Sequence, residues 1–457
     1  MQRDLTSGPV TATMLRFALP MVLGNLLQQL YNIADTLIVG RFLGTDALGA
    51  VGSAYTLMTF LTSILLGLAM GSGAVFSIRW GQRDFEGLRE SVCTAFLLIA
   101  ALTAVLTAAV FLWLDPILRL LQVPQENYAL MRDYLWVIFF GIPATFLSNY
   151  FSCLLRSVGN SSAPLAFLGA SALVNIGLDL LFVVTFSWGV EGAAFATVLS
   201  QYGAGVGLLF YTLRRFPQVR PERRHLRLRW ASVQEISRFS LLTCVQQSVM
   251  NFGILMVQGR VNSFGPAVMA AFAAAVKIDS FAYMPVQDFG NAFSTFIAQN
   301  YGARRPDRIR AGIRSAVCTA AVFSLAVSAV VCLLARPLMT IFVEASETEI
   351  LSIGVTYLRI EGAFYVGIGC LFLLYGLYRA VAMPAMSVVL TVISLGTRVV
   401  LAYTLSAIPA VGVVGIWWSV PIGWALADLT GFAYYRLRRR EIEERLTAYD
   451  GADGVSK

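Results

Sequence analysis

Long apolar stretches recur along the whole chain, and short polar segments separate them. Three of these stretches, 92–114, 165–186 and 316–335, each hold about twenty residues with almost no charge. A helix of that length crosses a hydrocarbon layer of roughly 30 Å. Because the stretches are continuously apolar and do not alternate with polar residues, the pattern predicts membrane-spanning helices and argues against a β-barrel.

The same pattern predicts twelve spanning helices, six in each half of the chain. They lie near residues 14–39, 48–77, 88–113, 130–155, 163–186, 190–213, 234–259, 267–299, 311–335, 351–378, 384–408 and 412–436. Composition agrees, since 57% of the 457 residues are hydrophobic and only 13% are charged, whereas about a quarter of a soluble domain is normally charged. The chain is therefore predicted to be an all-α integral membrane protein.

Basic residues are distributed unevenly between alternate connections. The two termini and the even-numbered connections carry 25 lysines and arginines, and the other connections carry four. The positive-inside rule then places both termini in the cytoplasm. Topology thus accounts for the net charge of +8. For the basic segment at 214–229, membrane lipid is favoured as a partner over nucleic acid.

The two halves of the chain are related by internal duplication. A shift of 221 to 223 residues aligns matching motifs, among them residues 80–83 with 301–304 and Gly189-Val190 with Gly412-Val413. Each half has an even number of spans, so the halves are predicted to be parallel repeats about a pseudo-twofold axis along the membrane normal. The predicted divisions are an N-terminal lobe at 1–215, a linker at 216–233, a C-terminal lobe at 234–440 and a cytoplasmic tail at 441–457.

Four polar side chains are predicted to converge in the outer half of the N-terminal lobe. Asp35 lies near the outer end of the first span, and Asp179 lies eight residues before the outer end of the fifth. Asn175 precedes Asp179 by one helical turn, and Thr197 lies at nearly the same depth on the antiparallel sixth span. Two carboxylates, an amide oxygen and a hydroxyl form a hard-oxygen site suited to Na⁺, or a carboxyl pair that can hold a proton.

Acids within membrane spans are usually functional, but these two acids could also serve only to hydrogen-bond the helices together. Pro20 lies fifteen residues before Asp35 in the first span. A proline removes a backbone hydrogen bond and permits a kink. Pro20 is therefore either a conformational switch below the candidate ion site or a packing kink.

Three segments in combination resemble the MATE (multidrug and toxic compound extrusion) family. They are ADTLIVGRFLG at 34–44, NIGLDLLF at 175–182 and QNYGA at 299–303. The likeness extends over nearly the whole chain. It implies two six-helix lobes and a secondary active antiporter that exports organic cations or polyaromatic drugs in exchange for Na⁺ or H⁺. It also implies that the protein is not an enzyme and needs no cofactor beyond the coupling ion.

The resemblance assigns roles to individual residues. The cation site of the family's N-terminal lobe matches Asp35, Asn175, Asp179 and Thr197, and the proline of its first helix matches Pro20. Some members have an acidic site in helices 7 and 10, but helix 7 has no acid here. Glu361 lies near the outer start of helix 10, so that second site is not carried over.

The second lobe lacks the oxygen cluster, because the repeat places apolar residues or arginine at the equivalent positions. Its own intramembrane charges are interpreted as a neutralised structural network of Lys277, Asp279 and Asp288 with Arg398; the role of Asp428 is left open. Nine side chains are candidates for contacts with a drug. They are Gln28, Tyr31, Asn149, Gln201, Gln246, Gln247, Tyr283, Met284 and Asp288. For each of the glutamines, Asn149 and Tyr31 taken alone, a helix–helix contact is the favoured interpretation, and lipid-facing packing is equally common for residues such as Tyr283 and Met284.

Two alternatives remain from the sequence. A lipid-linked oligosaccharide flippase of the same superfamily would share the fold, but a strongly cationic cleft is expected there, whereas the N-terminal lobe is acidic. A membrane-embedded enzyme has no support from a metal-ligand set or a nucleophile motif, and the single histidine, His225, lies in a basic loop. A drug-like small molecule is the expected partner, and we expect a monomer in the plasma (inner) membrane.

Overall fold

The computed structural model describes residues 3–120 and 125–438, and these residues contain helices and connecting turns without a strand. The first half contains α1 Val10–Leu43, α2 Thr45–Gln82, α3 Phe85–Leu112, α4 Leu114–Leu120, α5 Gln125–Ile138, α6 Ile142–Ser157, α7 Ser162–Asp179 and α8 Gly189–Arg215. The second half contains α9 Trp230–Asn262, α10 Pro266–Gly302, α11 Pro306–Leu333, α12 Ala335–Met339, α13 Thr348–Gly362, α14 Tyr365–Ala380, α15 Pro384–Leu405 and α16 Val414–Leu437.

Every predicted span corresponds to helical structure, and the all-helical fold class is confirmed. By length and composition, ten helices among the described residues can cross a membrane, and an eleventh span results if α13 and α14 are counted together. The predicted twelfth span forms α16, which does not meet that test. Its length is nevertheless similar to that of α15, since α16 has 24 residues and α15 has 22.

Two predicted spans are interrupted. The span at 130–155 consists of α5, a 3₁₀ turn at Phe139–Gly141 and α6; Pro143 follows this turn and cannot donate the backbone hydrogen bond that a continuous helix requires. The span at 351–378 is divided between α13 and α14, which are bent by 51° after Gly362. Glycine is a poor helix former, which favours a break at this position.

The chain divides into two compact units. Among the residues that the structure describes, those before Leu5 and those from Leu19 to Cys244 form the first unit, and Leu5–Ala18 and the residues after Cys244 form the second. The division therefore falls inside α1, immediately before Leu19 and Pro20. Within the first unit, α8 packs against α6 and α7, and this packing fixes the position of the candidate ion site.

The backbone preserves the internal repeat at its turns. Positive φ angles occur at Gly44 and Gly265, which precede α2 and α10, and at Arg83 and Arg304, which follow the same two helices. Two further pairs with positive φ are Gly159 with Ala382 and Gly189 with Gly412. All four pairs have the spacing of the sequence repeat. The internal repeat is thus visible in the positions at which helices begin and end as well as in the sequence motifs.

Candidate functional site

Helices α7 and α8 bring three of the four predicted site residues together. Asn175 and Asp179 lie one turn apart at the end of α7 and are 1% and 0% exposed, and Thr197 is buried on the neighbouring helix. A π-helical segment, Leu180–Thr185, follows Asp179 directly. π-Helical turns are rare and occur frequently at functional sites. The irregular helix end therefore coincides with the polar cluster.

Asn175 joins the two helices at this point. The orientation of its amide group is assigned from its neighbours. Its Nδ2 atom then donates to Asp179 Oδ2 at 2.8 Å, and its carbonyl oxygen accepts from the backbone nitrogen of Thr197 at 3.1 Å and from its hydroxyl at 3.3 Å. The Thr197 hydroxyl lies 3.1 Å from the carbonyl oxygen of Ala193 as well, and its single proton is shared between these two acceptors. Asn175 thus positions the carboxyl group of Asp179 relative to α8.

Asp35 completes the cluster from α1. Its carboxyl group lies within hydrogen-bonding reach of the carboxyl group of Asp179. One oxygen of each acid, Oδ1 in both cases, is buried without a hydrogen-bond partner. Two ionised carboxylates at this separation repel one another unless a proton or a cation lies between them. The unpaired oxygens and the negative charge fit Na⁺ or H⁺, which bind to oxygen ligands of this kind.

Two tyrosines border the acid pair. Tyr31 lies one turn before Asp35 on α1, and its hydroxyl is 3.5 Å from that of Thr197. Tyr134 on α5 is buried and lies close enough to interact electrostatically with both acids and with Tyr31. Sequence analysis assigned Tyr31 to a drug site, whereas the structure places it beside the cation cluster. Tyr134 was not singled out, because a single tyrosine in an apolar span gives no pattern.

The remaining drug-contact candidates are distributed over both units. In the first unit, Gln28 donates to Asn32 at 3.3 Å and Gln201 accepts from Thr145 at 3.0 Å. Asn149 is half-buried on α6. The first two residues therefore stabilise helices at least in part, as the alternative interpretation holds, and their contact with a drug stays a prediction.

In the second unit, the candidates are mainly enclosed. Gln246, Met284 and Asp288 are buried, and Gln247 and Tyr283 are half-buried. The ring of Tyr283 lies 6.2 Å from that of Phe372. The drug-binding role of these five residues also stays a prediction.

A second acid pair, which the sequence did not reveal, lies in the second unit. Asp279 on α10 and Glu361 on α13 are 5% and 1% exposed, and their carboxyl groups lie within hydrogen-bonding reach of one another. The hydroxyl of Tyr365 donates to Asp279 at 2.7 Å, and that of Tyr357 donates to Glu361 at 2.9 Å. The observed partner of Asp279 is thus Glu361, which was not part of the network of charges predicted from the sequence.

Arg398 interacts electrostatically with both acids of this second pair. Lys277 points elsewhere, because its ammonium group lies 5.8 Å from the centre of the Phe342 ring. Glu361 replaces it in the cluster. One feature of the sequence could have drawn attention to Glu361: Tyr357 lies four residues before it, on the same helical face.

Comparison with known proteins identifies the family. The sequence profile of the MatE family matches residues 20–181 and 240–404. The chain belongs to the MatE family. The two matched segments fall in the two halves of the internal repeat, and the resemblance inferred from the three sequence motifs is confirmed.

Relatives of known name support the same assignment. A probable multidrug resistance protein of Bacillus subtilis, YpnP, is 30% identical and aligns over 95% of this chain and 97% of its own length. The probable multidrug resistance protein NorM of Thermotoga maritima is 24% identical over 88% and 87% of the two chains. A transporter of the MOP superfamily from Pyrococcus furiosus has the same fold, with a TM-score of 0.89, 24% identity and coverage of 96% and 98%.

Proposed function

We propose that this MatE protein is a secondary active multidrug exporter that exchanges organic cations or polyaromatic drugs for Na⁺ or H⁺. The observation that carries the proposal is the pair Asp35–Asp179, in which one oxygen of each acid is buried without a hydrogen-bond partner. A cation is the natural ligand of such a pair. The names of the relatives, which are multidrug resistance proteins, support the class of substrate.

The cation has a defined role in this mechanism. With both acids ionised, the pair carries two negative charges in a buried site, which is strongly unfavourable. Binding of Na⁺ or H⁺ removes part of that charge, and Asn175 and Thr197 hold the carboxyl of Asp179 in place through the contacts in α7 and α8. A conformational equilibrium that exposes the site to one side or the other would then respond to the ion gradient.

The same proposal includes the orientation of the chain. The distribution of arginines favours cytoplasmic termini in the plasma (inner) membrane. Ions enter from outside toward Asp35 and Asp179, and drugs leave in the opposite direction. The protein acts as a monomer in this scheme and requires no cofactor besides the coupling ion.

Transport into or out of proteoliposomes tests the proposal. Purified protein is reconstituted, an inward Na⁺ gradient or a pH gradient is imposed separately, and efflux of a fluorescent organic cation is followed. Asp35→Asn and Asp179→Asn should each abolish gradient-driven efflux. Asp307→Asn is the control, because this aspartate of α11 is 96% exposed at its side chain. Efflux that is equally fast in all variants would refute the proposal.

A further inference from the structure

We propose that the connection between the halves, taken here as Arg214–Trp230 with the adjoining helix ends and called the linker below, is a preformed surface that binds the anionic headgroups of phospholipids in the leaflet that it borders. One side of this linker is fastened to the first unit. Phe216, Val219 and His225 are 4%, 1% and 6% exposed. The ring of His225 accepts from the backbone nitrogen of Glu222 at 2.9 Å, and its Nε2 atom lies 3.0 Å from a carboxylate oxygen of Glu86.

The first turns of α3 supply the other fastenings. Arg89 donates to the carbonyl oxygens of Pro217 and Gln218, both at 3.2 Å, and to the carboxylate of Glu222 at 3.1 Å. The hydroxyl of Ser232 donates to Glu90 at 2.6 Å just after the linker. The linker is therefore held in one conformation, and a ligand would not have to order it.

The free side of the linker is strongly basic. All seven of its arginines are exposed. Within the part of the chain that the structure describes, only Arg224 and Arg229 form ion pairs with acids. The other five therefore present charge that no carboxylate of the described residues balances: Arg214, Arg215, Arg220, Arg223 and Arg227.

Apolar side chains alternate with these arginines. Leu226, Leu228 and Trp230 are 57%, 51% and 78% exposed, with Arg227 and Arg229 between them. Exposed leucines beside a tryptophan are unfavourable in water but suited to the boundary between headgroups and acyl chains, where tryptophan is enriched. This combination favours a lipid surface over nucleic acid or an acidic protein, which would require the charge alone.

The ends of the linker keep it near the bilayer. It begins in the last two residues of α8 and ends at the first residue of α9, and both helices are long and apolar enough to span a membrane. Arginine side chains at such helix ends extend their guanidinium groups to the headgroups while their stems remain on apolar surface. Charge, apolar surface and position thus point to the same partner.

Lipid binding by the full-length protein in detergent tests the proposal. A fluorescent short-chain phosphatidylglycerol is titrated against an equivalent phosphatidylcholine. The triple variant Arg220→Gln, Arg223→Gln, Arg227→Gln should weaken phosphatidylglycerol binding on the order of 100-fold, because each basic residue near an anionic surface contributes about a factor of five. Phosphatidylcholine binding should not change.

The control variant removes three exposed arginines from the other set of connections, Arg41→Gln, Arg119→Gln and Arg336→Gln. It should bind phosphatidylglycerol as the wild type does. Equal weakening in both variants, or no weakening in either, would overturn the proposal. Equal binding of the two lipids by the wild type would overturn it as well, as would a preference of the linker arginines for a short oligonucleotide over phosphatidylglycerol.

The apolar part of the surface has an independent readout. In phosphatidylglycerol bilayers, lipids brominated near the headgroup should quench wild-type tryptophan fluorescence more than that of Trp230→Phe. The difference should shrink in the triple arginine variant, which no longer draws the linker to the lipid. If Trp230 contributes nothing to the quenching, the linker does not reach the membrane and the proposal fails.

Discussion

The carboxyl group of Asp35 in α1 lies within hydrogen-bonding reach of the carboxyl group of Asp179 in α7. These residues are far apart in the sequence, and a π-helical segment follows the second acid directly. Neither acid has an arginine or lysine as an ion-pair partner among the described residues. Because neighbouring carboxylates repel one another, this pair is where we propose that the coupling ion binds.

Neutralising either acid should uncouple transport from the ion gradient. Asp35→Asn and Asp179→Asn keep the size of the side chain and remove the charge that attracts Na⁺ or holds a proton. We expect gradient-driven efflux to be lost while protein abundance in the membrane stays near normal. Drug binding measured at equilibrium should persist but should no longer respond to Na⁺ or pH, since linkage requires a site that both ligands affect.

A comparison with a third acid makes this result specific. Asp288→Asn, at a buried acid of α10, should alter drug preference more than ion dependence. If Asp35→Asn and Asp179→Asn transport with unchanged ion dependence, the coupling site lies elsewhere and the residue assignments taken from the family are wrong.

Thr197 should make a smaller contribution than the acids. Thr197→Ala removes one neutral oxygen and its bond to the carbonyl of Ala193, and water can replace a lost ligand oxygen. We expect the apparent affinity for the coupling ion to fall by roughly ten-fold, with the maximal efflux rate largely retained. Thr197→Ser keeps the hydroxyl and should restore the affinity. Equal defects in the alanine and serine variants would mean that the methyl group matters and the hydroxyl does not.

The fold followed from hydrophobic pattern and duplication, because the membrane requires long apolar helices whatever their partners are. The N-terminal cluster could be predicted because Asn175 and Asp179 share a helical face and a tight connection places Thr197 beside them. The second acid pair could not be predicted in this way. Asp279 and Glu361 meet only because α10 and α13 pack together, and the sequence contains no short motif that records this packing.

Pro20 offers a test of helix bending. It lies in α1 immediately after the point, between Ala18 and Leu19, at which the chain passes from one compact unit to the other. Proline cannot donate a backbone hydrogen bond within the helix, and the missing bond makes it easier for α1 to bend at this point. Pro20→Ala should therefore slow efflux several-fold while membrane insertion stays normal and thermal stability is equal or higher.

The control is Pro285→Ala, because Pro285 also lies inside a helix, α10, but belongs to the second unit. It should affect efflux less than Pro20→Ala if the position in α1 is decisive. Wild-type efflux in Pro20→Ala would reduce Pro20 to a packing residue and remove the proposed switch.

The orientation of the chain can be checked with single cysteines. Gly454 is the predicted cytoplasmic site in the tail, although it lies outside the described residues; His225 is unsuitable for a probe because it is buried. Arg223→Cys and Arg305→Cys, both at exposed positions, should be protected from a membrane-impermeant reagent in intact cells. Ser263→Cys and Ser346→Cys, also exposed, should react. Reaction of Arg223→Cys and Ser346→Cys from one side would contradict the topology.

Arg398 should be more important for stability than either acid that it neighbours. With both acids ionised, Asp279, Glu361 and Arg398 together carry one excess negative charge. Glu361→Gln removes the excess charge and leaves Asp279 balanced by Arg398, so we expect a small change in thermal stability. Arg398→Met leaves two buried acids without a neighbouring cation, and we expect a larger loss of thermal stability than in Glu361→Gln. Lys277→Met is the matched control, since this lysine lies over the Phe342 ring. Melting curves of the purified variants measure all three effects, and a larger loss in Glu361→Gln than in Arg398→Met would show that the acids act through the tyrosine hydrogen bonds and not through Arg398.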